Sequence, residues 1–520
     1  MISNLITGLR RGEVKVPQFQ RKFVWKDKQA LDLLDSIANN YPVGSLLLWR
    51  TKEKLRSERN LGDFRLPATD DMTPTDYVLD GQQRLTVIYS ALGAPEQDGG
   101  FAVIYDLEHQ AFFRLPETTK LHQFPLRLMF NTTRLLNYRT GLQALPFALQ
   151  YQERLDAIIQ AFADYRLPVV TLKDLTVEEV CPIFERINSS GTRLATFDLM
   201  VAATWRHDFD LNDEVDQIQD ALSSKGFGDI DRTTVLKCLS GVQLGTIKED
   251  ALKSLRNLDR SQMQMLLDNT SSALLKTVDL LSTEFGIYSW DFLSYEALVI
   301  IISVIFSKTD HLSSDQIRRV RQWFWRASFG ERYKVGGENF VSRDIQSVLE
   351  FVLNAYGSPS DFGDPPSAKE WHSITFRSNV SRSRAFILAL AAKRPRNLTN
   401  GSAIDTEIAL SSFNKKQYHH VYPRAHLRRI GVHADDNLVI NICMLAAAAN
   451  NAISDTDPRE YVQHYAAHHS TDADDVFASN LLPRPSEFNY ATESYEGFLA
   501  ARAAIVCAFI SQLCNGNSVR

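Results

Sequence analysis

Near the C-terminal end of a 520-residue chain, Tyr418-His419-His420-Val421-Tyr422-Pro423 sets two adjacent imidazoles before a proline stop. Asn441 follows 21 residues after His420, and Asn450 nine residues after that. A histidine near its unperturbed pKa can accept a proton at neutral pH. A second imidazole and a side-chain amide can hold a divalent cation while leaving positions open for phosphate oxygens. These types and spacings point to a small metal site that cuts phosphodiesters. A bare His-His pair that only packs and hydrogen-bonds is the competing reading. The basic surroundings, Pro423 and the two spaced asparagines weigh against it.

The elements needed to position these groups follow from local pattern. Residues 417–422 are short and stopped by Pro423, which suits a strand running into a loop. In a strand His419 and His420 point to opposite faces, so they rim one site only if the strand twists or bulges. Residues 437–445 (NLVINICML) read as a second strand, and 446–453 as the start of a helix carrying Asn450. A second constellation lies far upstream. Strand-like residues 77–79 lead into Asp80-Gly81-Gln82-Gln83-Arg84, and Leu85, Ile88, Tyr89 and Leu92 then mark one helical face. A strand-to-helix junction offers free N–H groups and a positive dipole to an anion. Gly81 allows close backbone approach, Arg84 can grip phosphate, and Gln82 or Gln83 can donate. Asp80 as a plain N-cap with Arg84 on the surface is equally open.

Further strand signals at 45–49, 101–105 and 167–172, with helical spacing at Leu31, Leu34 and Ile37, predict an α/β or α+β domain over 1–210. Strand signals fade over 211–356, where 263–281 and 294–306 read as helices. Residues 357–369 open with GSPSDFGDPP and read as a linker. Residues 370–520 form the histidine-bearing domain, which closes on an apolar helix around 498–513. The apolar run 297–306 is too short to span a bilayer, and residues 1–12 lack a signal-peptide core. A cytoplasmic protein is expected. The five cysteines, Cys181, Cys238, Cys443, Cys507 and Cys514, form no C-x-x-C pair, so neither a zinc ribbon nor a disulfide framework is indicated.

The net charge of −5 excludes a uniformly basic nucleic-acid binder, but the distribution is uneven. Residues 371–434 hold eleven Lys or Arg against Asp405 and Glu407, a local +9 around the histidines. Lys415, Lys416, Arg424, Arg428 and Arg429 are the candidate DNA contacts, and His426 or His433 could join them. His464 and His468, at i and i+4 with His469 adjacent, lack the glutamate of an H-E-x-x-H site and read as a surface helix.

The motif around His420 resembles the HNH, or His-Me finger, nucleases. Residues 16–25 (VPQFQRKFVW), 41–49 (YPVGSLLLW), 184–200 (FERINSSGTRLATFDLM) and DGQQR resemble the N-terminal domain of GmrSD-type restriction proteins. Together the resemblance covers most of 1–205 and 370–470, and the domain pairing is similar to that of BrxU and SspE. It implies a multidomain α+β protein: a ParB/sulfiredoxin-like N-terminal domain, a helical middle and a C-terminal ββα-metal domain. It also implies His419 and Asn450 as metal ligands, His420 as general base and Asn441 as its orienter. Many relatives carry Asp at the position of His419. An imidazole there is softer and favours Mn²⁺, Co²⁺ or Ni²⁺ over Mg²⁺. By the same resemblance Gln20, Arg21, Asp80, Gly81, Gln82, Gln83 and Arg84 line a nucleotide site for GTP or another NTP. Asn188, Gly191, Thr192 and Asp198 would support it, although 188–191 also reads as a turn and Thr196 as a helix N-cap. No P-loop motif occurs. The implied function is an anti-phage, type IV restriction-like endonuclease acting on foreign or modified DNA, with a homodimer among the expected assemblies. The alternative is an NTP-dependent DNA sensor or regulator whose HNH domain is degenerate.

Overall fold

A computed structural model describes residues 1–17, 25–52, 74–94, 101–176, 209–377, 379–409, 418–432, 437–445, 456–468 and 472–518, with isolated positions and short strand pieces elsewhere. The chain divides into two compact units, Met1–Leu211 and Asn212–Arg520.

The first unit contains β1 (Val14–Pro17), β2 (Leu46–Thr51), β3 (Ser57–Glu58), β4 (Thr75–Asp80), β5 (Val103–Asp106), β6 (Ala111–Arg114), β7 (Gln123–Pro125) and β8 (Val169–Lys173). Five of them form a mixed sheet in the order β8-β2-β4-β1-β3. β8 runs parallel to β2 and β1 parallel to β4, while β2 and β4 are antiparallel. The apolar runs explain the centre: Leu46 to Trp49 and Tyr77 to Leu79 are all buried. β8 sits at the edge, so its Val169 and Val170 are exposed although their sequence reads as core. The Asp27–Ala38 helix buries Ala30, Leu33, Leu34 and Ile37, a helical stripe that packs with Leu46, Val78, Leu85 and Ile88 in one core. β5, β6 and β7 form a separate antiparallel sheet in the order β6-β5-β7.

The second unit is mostly helical. The long helices expected in the middle region are found at Arg260–Phe285 and Glu296–Lys308. The first starts on a capping box between Asp259 and Gln262. The regions 211–356 and 370–520, separate in the sequence reading, share this unit from Asn212 onward, and aromatic side chains bind them together. Trp371 lies 6.1 Å from Phe329 and 5.7 Å from Phe386. The expected linker is packed as well. Phe362 is 2% exposed, and Arg326 donates to the Gly363 carbonyl and the Asp364 carboxylate. Its Gly, Pro and Ser content serves a short 3₁₀ turn, Pro359–Phe362, that seats this phenylalanine.

Two short antiparallel strands complete the unit: β9 (Tyr418–His420) and β10 (Ile442–Met444), with His419 opposite Cys443 and His420 opposite Ile442. The expected second strand over 437–445 is broken in two. Its first half bridges to Thr375 through Leu438, a 3₁₀ turn at Val439–Asn441 redirects the chain, and only the second half pairs with β9. Among the described residues one helix, Tyr495–Cys514, is long and apolar enough to cross a membrane by length and composition. Half of that apolar window is buried inside the protein.

Candidate functional site

At the β9–β10 hairpin, alternation along the strand gives the two histidines different settings. His419 is 5% exposed, whereas His420 is half-buried. The Nε2 atom of His420 lies 2.9 Å from Oδ1 of Asn437. Asn437 Nδ2 donates to the Phe376 carbonyl at 2.7 Å, which fixes the orientation of the amide: a flip would face two carbonyl oxygens. Oδ1 only accepts, so His420 Nε2 carries the proton and the lone pair of the neutral ring belongs to Nδ1. Asn437 was missed by the sequence reading, which gave the orienting role to Asn441. Its signal is its place at the start of NLVINICML, where a polar residue opens an apolar run.

Asn441, fully buried, does a different job. Its Nδ2 donates to the Tyr422 carbonyl at 3.0 Å, and its Oδ1 accepts from the Tyr422 N–H at 2.9 Å. It thus clamps the turn two residues beyond His420 and leads the chain into Pro423 and the Arg424–Arg429 helix. Beneath this turn, Arg502 is also fully buried. Its guanidinium donates to the carbonyls of Ile440 (2.7 Å), Ile442 (2.6 Å), Asn480 (3.2 Å) and Leu481 (3.2 Å). Two of those carbonyls flank Asn441. Arg502 was also missed. A lone arginine inside an otherwise apolar helix is the signal that could have found it.

Asn450, Lys415, Lys416 and His433 lie outside the described residues. Cys443, across from His419, is buried and its thiol is pushed up to about 12, so it stays a neutral thiol. Arg424, Arg428 and Arg429 are exposed on one short helix. The +9 segment is less available than its charge suggests. Arg382 and Arg384 donate to the carbonyls of Phe329 and Leu293, and Arg396 pairs with Asp472. His426 is 5% exposed, with Nδ1 3.8 Å from Asp457 Oδ2, so it is a core group rather than a DNA contact. His464 is exposed on the Pro458–His468 helix, and the His468 and His469 side chains are outside the described set.

At the N-terminal constellation, Gly81 is the N-cap of the Gln82–Leu92 helix at φ 94°, and no side chain caps it. Asp80 pairs instead with Arg84, Nη2 to Oδ2 at 2.9 Å, and Arg84 also donates to the Ser45 carbonyl at 2.7 Å. Arg84 is mostly buried rather than a surface residue. Its guanidinium lies against two glycines with positive φ: a Cβ at Gly44 would sit 3.1 Å from Arg84 Nη1, and one at Gly81 only 2.3 Å from Leu46 Cδ2. Gln82 and Gln83 are each 7% exposed. Gln83 accepts from the Trp25 N–H at 3.3 Å. Gln82 Oε1 and Arg84 Nε are buried with no hydrogen-bond partner among the described residues. Gln20, Arg21, Asn188, Gly191, Thr192, Thr196 and Asp198 lie outside those residues.

Residues 2–205 match the family model described as the N-terminal domain of the GmrSD restriction endonuclease. That match suggests a nuclease acting on DNA, and its span ends well before the histidine hairpin. The chain is also similar to the uncharacterized protein MJ0686 of Methanocaldococcus jannaschii, 22% identical over 517 residues, covering 88% of this chain and 86% of that one.

Proposed function

We propose that the protein is a metal-dependent DNA endonuclease of the restriction type, cutting at an HNH site built on the β9–β10 hairpin. The observation that carries this reading is the pairing of His420 Nε2 with Asn437, which assigns the neutral ring's lone pair to Nδ1. In this reading Nδ1 takes a proton from the attacking water, and Asn437 holds the other ring proton throughout the step. Asn441 and Arg502 keep the turn in place so that His420 need not reorganise. His419 and Asn450 would hold the cation; an imidazole with a side-chain amide suits a borderline divalent ion such as Mn²⁺ as well as Mg²⁺. The bound cation would supply charge stabilisation at the scissile phosphate. Arg424, Arg428 and Arg429, with Lys415 and Lys416, would engage the DNA backbone. Cleavage of supercoiled plasmid with Mg²⁺ or Mn²⁺, absent in His420→Ala, tests the reading. Undiminished cutting by purified His420→Ala overturns it.

The 1–210 domain would decide when cutting occurs, as a ParB-like module that binds GTP or another NTP and senses modified DNA. Gln82 Oε1 and Arg84 Nε, buried and without a hydrogen-bond partner among the described residues, support a ligand at this junction. The same observation favours a second reading, an NTP-dependent sensor or regulator whose hairpin is inactive. Phosphate release from GTP or ATP, lost in Arg84→Ala, combined with no plasmid cleavage under any metal, would select that reading. Matched modified and unmodified phage DNAs test defence against phage in the cytoplasm, and sedimentation tests a homodimer.

A further inference from the structure

The end of β5, the turn that follows it and the start of β7 bring together three side chains that neither constellation uses. Asp106 closes β5 and is 3% exposed, Glu108 lies exposed in the turn, and His122 directly precedes β7. One ligand atom from each lies within 4.8 Å of the others. His122 Nε2 is 3.5 Å from Glu108 Oε2 and 3.8 Å from Asp106 Oδ2. Both separations exceed the roughly 3.2 Å limit of a good N–H···O hydrogen bond. They are close to the spacing of two ligands on one ion, because atoms about 2.0–2.2 Å from a tetrahedral centre lie roughly 3.3–3.6 Å apart.

The supports around these atoms orient them. Asp106 Oδ1 accepts from the backbone N–H groups of Glu108 (2.9 Å) and His109 (3.0 Å), and His109 Nδ1 lies 3.2 Å away. That fixes the carboxylate with Oδ2 toward His122, where Gln123 Nε2 approaches at 3.4 Å. The His122 ring stacks against Tyr151 at 6.1 Å, and its carbonyl accepts from Leu107 N at 2.9 Å, so its backbone is tied to the turn it faces. An anchored carboxylate, a stacked imidazole and an exposed surface carboxylate form a three-ligand set with room for water.

We propose that Asp106, Glu108 and His122 form a site for a divalent transition-metal ion that takes mixed nitrogen and oxygen ligands, zinc or manganese. The ion would pin the β5–β6 turn to β7, a staple in the first unit independent of the hairpin chemistry.

The test uses tag-free full-length protein carrying His419→Ala and His420→Ala, which removes the hairpin imidazoles from the count. After chelation, equilibrium dialysis against Zn²⁺ or Mn²⁺ with elemental analysis should give one saturable ion per chain. Glu108→Gln, a surface change that leaves the fold alone, and His122→Gln should each weaken it by at least about tenfold. Substitution with Co²⁺ should give visible absorption bands in the parent that His122→Gln alters. No saturable ion in the parent, or equal affinity in Glu108→Gln and His122→Gln, overturns the proposal and leaves a histidine–carboxylate ion pair.

Discussion

At the β9–β10 hairpin the amides of Asn437 and Asn441 meet backbone partners, while at the Asp80–Gln82 junction Gln82 Oε1 and Arg84 Nε are buried with none among the described residues. In the first arrangement, at the hairpin, the amide contacts restrain the backbone or the ring of a single histidine. The second leaves two buried polar atoms without a partner among the described residues, and such an atom costs about 1–3 kcal/mol where nothing meets it. A protein retains that cost where a ligand repays it. Amides anchored to the backbone mark the hairpin proposed to do the chemistry, and side-chain atoms without a partner among the described residues mark the junction proposed to receive a signal.

Substitutions can break this contrast, and the largest effect belongs to the hairpin. His420→Ala should lower plasmid cleavage by about 10²–10⁴-fold, with far-UV circular dichroism and DNA retention unchanged. Arg502→Leu should cost about 3 kcal/mol or more in urea unfolding, because four buried carbonyls lose a charged donor. Gly81→Ala should cost about 1–3 kcal/mol, since it combines a strained φ with a clash against Leu46. The subtlest change is Asn437→Asp. A carboxylate beside Nε2 stabilises the imidazolium, so the acidic limb of the cleavage pH profile should move to higher pH by about one unit. A profile that stays put would mean that Asn437 only packs, and the hairpin would lose its defined base.

Much of the fold was legible because it follows apolar periodicity. The buried strands at Leu46 and Tyr77 and the helices at Arg260–Phe285 and Tyr495–Cys514 are long enough for pattern to decide. What pattern missed was set by tertiary partners. Residues 437–445 alternate like one strand, but Asn437 and Leu438 face the segment at 374–376, so the strand breaks at Val439. The supposed linker holds Phe362, whose burial depends on helices distant in sequence. At the candidate site, the short strand carrying His419 and His420 was legible from pattern. The division of labour between Asn437 and Asn441 was not, because both are asparagines on one short segment and only the fold separates a ring contact from a backbone clamp.

The cage around Arg502 also sets an order in time. Its four carbonyls belong to residues between Ile440 and Leu481, all made by the ribosome before Arg502 itself. Until that residue emerges, the turn carrying Asn441 lacks its floor, so a nascent chain that already contains His420 is not yet assembled around it. Truncation anywhere between Met444 and Tyr495 would leave the histidines present and the hairpin unsupported. On the proposed nuclease reading such an arrangement protects the host genome, because the hairpin is supported only after Arg502 has been made.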